Sequence, residues 1–251
     1  FSKATEAIQQ GAFRRGANMG MLRVDHPDID LFIHVKDDLT QLTNYNISVA
    51  ITNRFMDELR SDPTAIHQVH NPRTKEWAKL EKRNSEDVGT GEFWTVGELW
   101  ETIIEHAHRT GEPGVIFIDR INEKNPIKNI GLIEATNPCG EQPLHPYDSC
   151  NLGSINLGRF VRAGANSGEP CTFDWEGLKA TIHTSTRFLD NVIEVNKYPL
   201  PAIDQMSKTT RRIGLGVMGF ADSLFKLGIA YNSEEGCSFG EEIMRILEIE
   251  S

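Results

Sequence analysis

Apolar positions along this chain follow two rhythms. Tyr45-Asn46-Ile47-Ser48-Val49-Ala50-Ile51 and Met21-Leu22-Arg23-Val24 are short runs rich in strand formers, and Val115-Ile116-Phe117-Ile118 is apolar throughout. Such runs predict strands, the last a parallel strand covered on both faces. Elsewhere apolar residues return every three or four positions, as on a helix. Ile29, Phe32 and Ile33 follow Asp25-His26-Pro27-Asp28, with Pro27 near the first turn and His26 as a local capping or packing residue. Asn53 is placed to cap a helix carrying Phe55, Met56 and Leu59. Thr95 opens a helix with Val96, Leu99, Trp100, Ile103, Ile104 and Ala107 as its stripe, and Gly111 ends it. Asp174 opens a longer one with Leu178, Ile182, Phe188, Leu189, Val192 and Ile193 buried, closed by Tyr198-Pro199-Leu200-Pro201. Residues 62–94 are polar and charged, with Trp77 and Trp94 as isolated anchors, and predict a loop with a short helix outside the core. Strands alternating with helices predict parallel α/β units, whether closed into a barrel or open.

One stretch fits neither rhythm: Asn137-Pro138-Cys139-Gly140-Glu141-Gln142-Pro143-Leu144, followed by Ser149-Cys150-Asn151-Leu152-Gly153-Ser154-Ile155-Asn156-Leu157. Pro138 pushes Asn137 toward extended geometry, and Pro143 blocks a helix. In an extended segment residues two apart share a side. Asn137, Cys139 and Glu141 would then present an amide, a thiol and a carboxylate together. The carboxylate can take a hydroxyl proton, and the amide can hold hydroxyls. The thiol can act as a nucleophile or give up a hydrogen atom to a radical generator, and spacing does not separate these roles. The competing reading is a loop around a buried, inert cysteine.

A second loop, from Gly11 to Gly20, carries the adjacent pair Arg14 and Arg15, whose donor forks suit phosphate or base edges as well as a solvated turn. A third stretch, Ile213-Gly214-Leu215-Gly216-Val217-Met218-Gly219, matches G-x-G-x-x-G, with Glu234 further on. It supports a rival reading as a nicotinamide-dependent oxidoreductase. The fingerprint needs an apolar strand before its first glycine, however, and Ser207–Arg212 is polar and basic.

Composition narrows the classes. The 251 residues carry a net charge of −10, which argues against a partner made of nucleic acid polymer. A nucleotide remains possible as a ligand, because helix N-termini can hold phosphates. No apolar run reaches membrane-spanning length, so no membrane association is expected. Cysteines 139, 150, 171 and 237 show no C-x-x-C spacing, and a metal site at His106 and His108, two apart on one helix, is not expected. Scattered cysteines fit a reducing, cytoplasmic setting. The chain starts and stops inside predicted helices and reads as a fragment.

The Asn137–Leu144 and Ser149–Leu157 stretches resemble the finger loop of ribonucleotide reductase catalytic subunits. The Pro-Cys-Gly-Glu form resembles the adenosylcobalamin-dependent branch more than the di-iron one. Residues 14–28 and 211–228 resemble the same family, so that the likeness covers essentially the whole chain. The resemblance implies part of a ten-stranded α/β barrel, about one half-barrel plus the finger loop, with residues 1–251 as a piece of one barrel domain. It implies reduction of a ribonucleoside di- or triphosphate, adenosylcobalamin as cofactor, a nucleotide effector, a dithiol reductant such as thioredoxin, and a homodimer when complete. By resemblance Cys139 matches the thiyl-radical cysteine, Glu141 the base for the 3′-hydroxyl, Asn137 the amide that holds substrate hydroxyls, and Cys150 one of two reducing thiols. Arg14, Arg15, Gly16, Ala17 and Asn18 match the loop between substrate and effector, and Asn46 and Ser48 lie near the barrel mouth. The resemblance places the partner of Cys150 upstream of Phe1 and the second half-barrel beyond Ser251. A non-catalytic nucleotide-binding fragment is the other alternative.

Overall fold

The computed structural model describes residues 2–7, 16–84, 86–164 and 169–251, which form two compact units, Phe1–Pro146 and Tyr147–Ser251. Both are built on parallel strands, as α/β alternation requires. Among the described residues the strands do not close into a barrel.

In the first unit, strands Asn18–Arg23, Tyr45–Ile51 and Gly114–Phe117 lie side by side in that order, with Asn18 opposite Tyr45 and Ser48 opposite Gly114. The middle strand is buried from Ile47 to Ile51 because both of its faces are covered. Val49 and Ile51 join Val24, Ile29, Ile33, Phe55, Leu99 and Ile103 on one side, while Ala50 meets Ile118 and Ile133 on the other. The third strand departs from expectation. It is an edge strand, with Val115 and Phe117 36% and 42% exposed, because no further strand of this unit pairs with it among the described residues.

The helices begin where local chemistry says they should. Thr95 accepts from the Glu98 amide while Glu98 reaches back to the Thr95 amide, and Gly111 ends the helix Val96–Thr110 in the left-handed region at φ 84°. That cap satisfies donors the first turn leaves orphaned. Asn53 is not a cap. Thr52, one residue earlier, accepts from the Phe55 amide at 3.1 Å, and Asn53 bonds Glu123 at 3.0 Å instead. His26 plays the local part expected of it, its Nδ1 accepting from the Asp28 amide at 3.1 Å. Residues 62–94 hold no helix among those described. They form antiparallel hairpins, Gln68–His70 with Trp77–Lys79 and Glu81–Arg83 with Gly89–Phe93, pinned by buried Val69 and Leu80. Of these four strands only Gln68–His70 buries a side chain, Val69, and Leu80 lies between two of them, too little alternation to read amid so much charge.

In the second unit strand Asn151–Asn156 pairs with Ile213–Met218, Leu152 opposite Gly214. Helix Trp175–Val195, capped by Asp174 through the Gly177 amide, packs Leu178 and Ile182 with Ile155, Ile243 and Ile246. Two expected stripe members face out: Ile104 is 44% exposed in the first unit and Phe188 65% in the second. Cys237, read as part of a loop near the chain end, lies in the first turn of helix Glu234–Glu250.

Candidate active site

The segment with the organising cysteine is a hairpin, not an extended run. Ala135–Thr136 pairs antiparallel with Pro143–Leu144, and residues 137–142 close the loop. The Gly140 amide donates to the Asn137 carbonyl at 2.9 Å, giving a turn with Pro138 and Cys139 at its two central positions. Proline suits the first of these because its φ is already set, and Gly140 follows at φ 83°. Alternation by twos therefore does not operate here. Asn137 is half-buried, and its Oδ1 accepts from the Gln142 amide at 3.0 Å, which leaves the NH₂ as the group it can offer a ligand. Cys139 and Glu141 are exposed, so the buried, inert reading of Cys139 fails.

The turn stands over the N-terminal ends of the parallel strands. Asn46 Nδ2 donates to the Pro138 carbonyl at 2.5 Å. Pro138, Cys139 and Gly140 line a cleft of about 410 Å³ with Asn46, Ser48 and Glu112. A thiol, a carboxyl group and amide and hydroxyl groups thus face one small volume within the first unit. Glu112 was not singled out by sequence reasoning, and its only signal was its place just after the Gly111 helix stop.

Of the second predicted loop, Arg14 and Arg15 lie outside the described residues. Gly16 is half-buried and leaves no room for a side chain against Thr5, and Ala17 is exposed. Asn18 begins the first strand, its amide donating to Thr5 Oγ1 at 3.0 Å and to the Asn44 carbonyl at 3.3 Å. Those bonds give Asn18 a structural task at the strand head.

Cys150 belongs to the second unit, half-buried at the entry to strand Asn151–Asn156. Its Sγ donates to the Asn151 carbonyl at 3.4 Å. A methyl group added to Gly214 would sit 3.7 Å from the sulfur and collide with Leu152. The segment before Cys150 is fixed by Asp148, whose fully buried carboxylate accepts from Arg212 Nε at 2.8 Å, from Thr210 at 2.8 Å and from the Ser149 amide at 2.9 Å. Sequence reasoning missed this pair because its members are 64 positions apart.

The glycine run is not a dinucleotide turn. Gly214 and Gly216 lie inside the strand Ile213–Met218, and Gly219 alone occupies the strand-to-helix turn at φ 69°. The fingerprint needs its first glycine in a tight turn and its second beside the pyrophosphate, and here both are strand residues paired with Asn151–Asn156. Glu234 opens the last helix and follows no second parallel strand. Gly214 serves close packing against Leu152 of the paired strand, and Gly219 close packing against Asn156 at the turn.

Among the described residues, His34, Asp37 and His106 could surround a cation, with ligand atoms within 4.8 Å of one another. Asp37 already pairs with Arg109, whose guanidinium also lies 3.1 Å from His106 Nδ1. A resident positive charge makes this an ion-pair cluster. No helix among the described residues is long and apolar enough to cross a membrane.

Parallel strands flanked by helices, with an exposed thiol on a hairpin at the head of the sheet, define an α/β protein equipped for thiol chemistry. The chain belongs to the ribonucleotide reductase barrel-domain family, which matches residues 1–251. It is 48% identical over 252 aligned residues to a vitamin B12-dependent ribonucleoside-diphosphate reductase of Thermoplasma acidophilum, covering 100% of this chain and 30% of that protein. It is 40% identical over 249 residues to one of Mycobacterium tuberculosis, covering 99% and 33%. The class Id ribonucleotide reductase alpha subunit of Actinobacillus ureae superposes with a TM-score of 0.62 at 22% identity, over 92% of this chain and 39% of that one. The chain thus spans about a third of the length of these relatives.

Proposed function

We propose that this chain carries the radical-bearing part of an enzyme that reduces ribonucleotides to deoxyribonucleotides. The observation that carries the reading is Cys139, exposed on a proline turn over a cleft that Asn46, Ser48 and Glu112 also line. Membership of the family supports it, and the relatives' names favour a diphosphate substrate.

In this reading Cys139, as a thiyl radical, takes the 3′ hydrogen atom of the ribose. Glu141 takes the 3′-hydroxyl proton, and the Asn137 NH₂ holds a substrate hydroxyl. The 2′-hydroxyl leaves as water. Cys150 and a second thiol from outside this chain give two electrons and two protons and end as a disulfide. Cys139 then returns its hydrogen atom to the 3′ carbon and Glu141 its proton to the 3′ oxygen, so that the net change is replacement of the 2′ hydroxyl by hydrogen, release of water and oxidation of two thiols to a disulfide. An exposed thiol suits a radical generator supplied from outside the chain, and adenosylcobalamin would supply that hydrogen-atom acceptor. Among the described residues no cobalt ligand is assigned. Residues 1–251 belong to one barrel domain, the loop around Gly16, Ala17 and Asn18 reports a nucleotide effector, and the complete enzyme is a cytoplasmic homodimer re-reduced by a dithiol such as thioredoxin.

The test is Cys139→Ser in the full-length enzyme, assayed with a dithiol, with and without adenosylcobalamin. Turnover is expected to vanish while nucleotide binding persists, because a hydroxyl is a far poorer hydrogen-atom donor than a thiol. Retention of a tenth of wild-type turnover, about 1.4 kcal/mol in barrier, would rule out the radical role.

A further inference from the structure

We infer that Asn46 is a positioning residue that sets the pose of the Cys139 thiol, and that the Lys36–Glu112 ion pair holds Asn46 in place. The inference rests on the reading of Cys139 as the radical-bearing residue.

The thiol itself is exposed, so its position depends on how its turn is held. Inside the hairpin the turn is closed by the Gly140 and Gln142 amides, both bonded to Asn137. Toward the sheet it is held through the Pro138 carbonyl, which accepts from Asn46 Nδ2 at 2.5 Å. That carbonyl belongs to the peptide unit entering Cys139, so rotation of the unit carries the thiol with it. Asn46 sits on the middle strand, next to the stretch that is buried on both faces. It therefore links the turn to the buried middle strand of the first unit.

The backbone on either side of Asn46 is held by one ion pair, between buried Lys36 and half-buried Glu112. Lys36 Nζ donates to the Tyr45 carbonyl at 2.5 Å and to the Leu42 carbonyl at 2.9 Å, and its third contact is Glu112 Oε2 at 2.9 Å. Three donors thus meet three acceptors on an ammonium that is 8% exposed. The other oxygen, Glu112 Oε1, accepts from the Ile47 amide at 2.9 Å. The third strand starts at Gly114, opposite Ser48, so Ile47 lies beyond the end of that ladder. Glu112 supplies the acceptor the missing strand residue would have given. Lys36 therefore fixes the carbonyl before Asn46 and Glu112 the amide after it. A group clamped on both sides through charged hydrogen bonds is the kind of support that holds reacting atoms within catalytic tolerance.

The experiment uses the full-length enzyme with Asn46→Ala, Asn46→Asp and Asn46→Gln, measured beside Cys139→Ser. Asn46 is exposed, so these variants are expected to fold with wild-type Tm. Alanine and aspartate remove the donor and should lower kcat by about tenfold to a hundredfold, the scale of a ~1 Å misplacement, with KM for the nucleotide within about twofold of wild type. Glutamine keeps an amide donor and should recover part of the loss. Lys36→Met should also lower kcat and add little in the double variant with Asn46→Ala, since both act through one contact. If Lys36→Met does not fold, Glu112→Gln takes its place. Wild-type kcat in Asn46→Ala and Asn46→Asp, a loss confined to KM, or a loss that tracks a fall in Tm would overturn the positioning role. Fully additive losses in the double variant would overturn the part assigned to the ion pair. Turnover by Cys139→Ser would instead sink the underlying reading, so the two failures are distinguishable.

Discussion

Cys150 differs from Cys171 and Cys237 by what surrounds it. It is half-buried at a strand entry, beside the bare backbone of Gly214 and directly after a segment pinned by the Asp148–Arg212 pair. Cys237 is an exposed residue in the first turn of the last helix, and Cys171 precedes a two-residue strand, Thr172–Phe173. A thiol that must meet a second thiol repeatedly needs a fixed starting position, and only Cys150 of the three is built that way. Cys150→Ala in the full-length enzyme is expected to stop multiple turnover, whereas Cys171→Ala and Cys237→Ala leave it largely intact. Steady-state assays with a dithiol reductant check this, and equal loss at Cys171 or Cys237 would overturn the assignment.

Individual helices follow their ends. In Val96–Thr110 the Thr95 hydroxyl takes the Glu98 amide at 3.2 Å, and Glu98 Oε2 takes the Thr95 amide at 2.9 Å. The Thr95 amide, and then Lys82, hold the Glu98 carboxyl below its ordinary range. Thr95→Ala removes one half of this reciprocal cap and is expected to destabilise the first unit by about 1 kcal/mol, seen as a lower urea midpoint with an unchanged slope. An unchanged midpoint would mean that Leu99 and Ile103, both buried, hold the helix without help from its cap. Strand Tyr45–Ile51 works differently. It contributes core positions through both faces and, at its polar head, offers Asn46 to the turn.

For the molecule as a whole, one contribution to acid sensitivity comes from buried His67. His67 is 2% exposed, its Nε2 bonded to the Val24 carbonyl at 2.8 Å and its Nδ1 buried without a partner. Desolvation pushes its pKa down, and the Val24 bond and the nearby Glu58 and Asp25 charges offset only part of that. With the folded pKa below the unfolded value of about 6.5, the unfolded chain binds more protons between the two. The stability this neutral ring contributes is therefore present above pH of about 6.5 and is lost as the pH falls through the folded pKa. Denaturation midpoints measured from pH 7 down to pH 5 should fall, and His67→Gln should flatten the slope. An unchanged slope in the variant would assign the acid sensitivity to other groups.

What the sequence determined by itself was local or carried by unbroken patterns. Thr95, Glu98 and Gly111 mark one helix, Asp174 another, and Tyr45–Ile51 reads as a strand at its observed bounds, because each signal acts within a few positions of its residue. Asn137, Cys139, Glu141 and Cys150 could be singled out as candidates too, since reactive groups among prolines and glycines stand out from any core rhythm. Tertiary structure decided the rest. The Gly140 amide and the Asn46 side chain converted the expected extended run into a turn, a choice between backbone states that Pro138 alone allows equally. It also decided that Gly214 and Gly216 lie within a strand, that Phe188 and Ile104 face outward, and that Lys36 meets Glu112 and Asp148 meets Arg212. Those outcomes depend on which distant segments share a space, and hydrogen bonds of that kind leave no periodic trace in the chain.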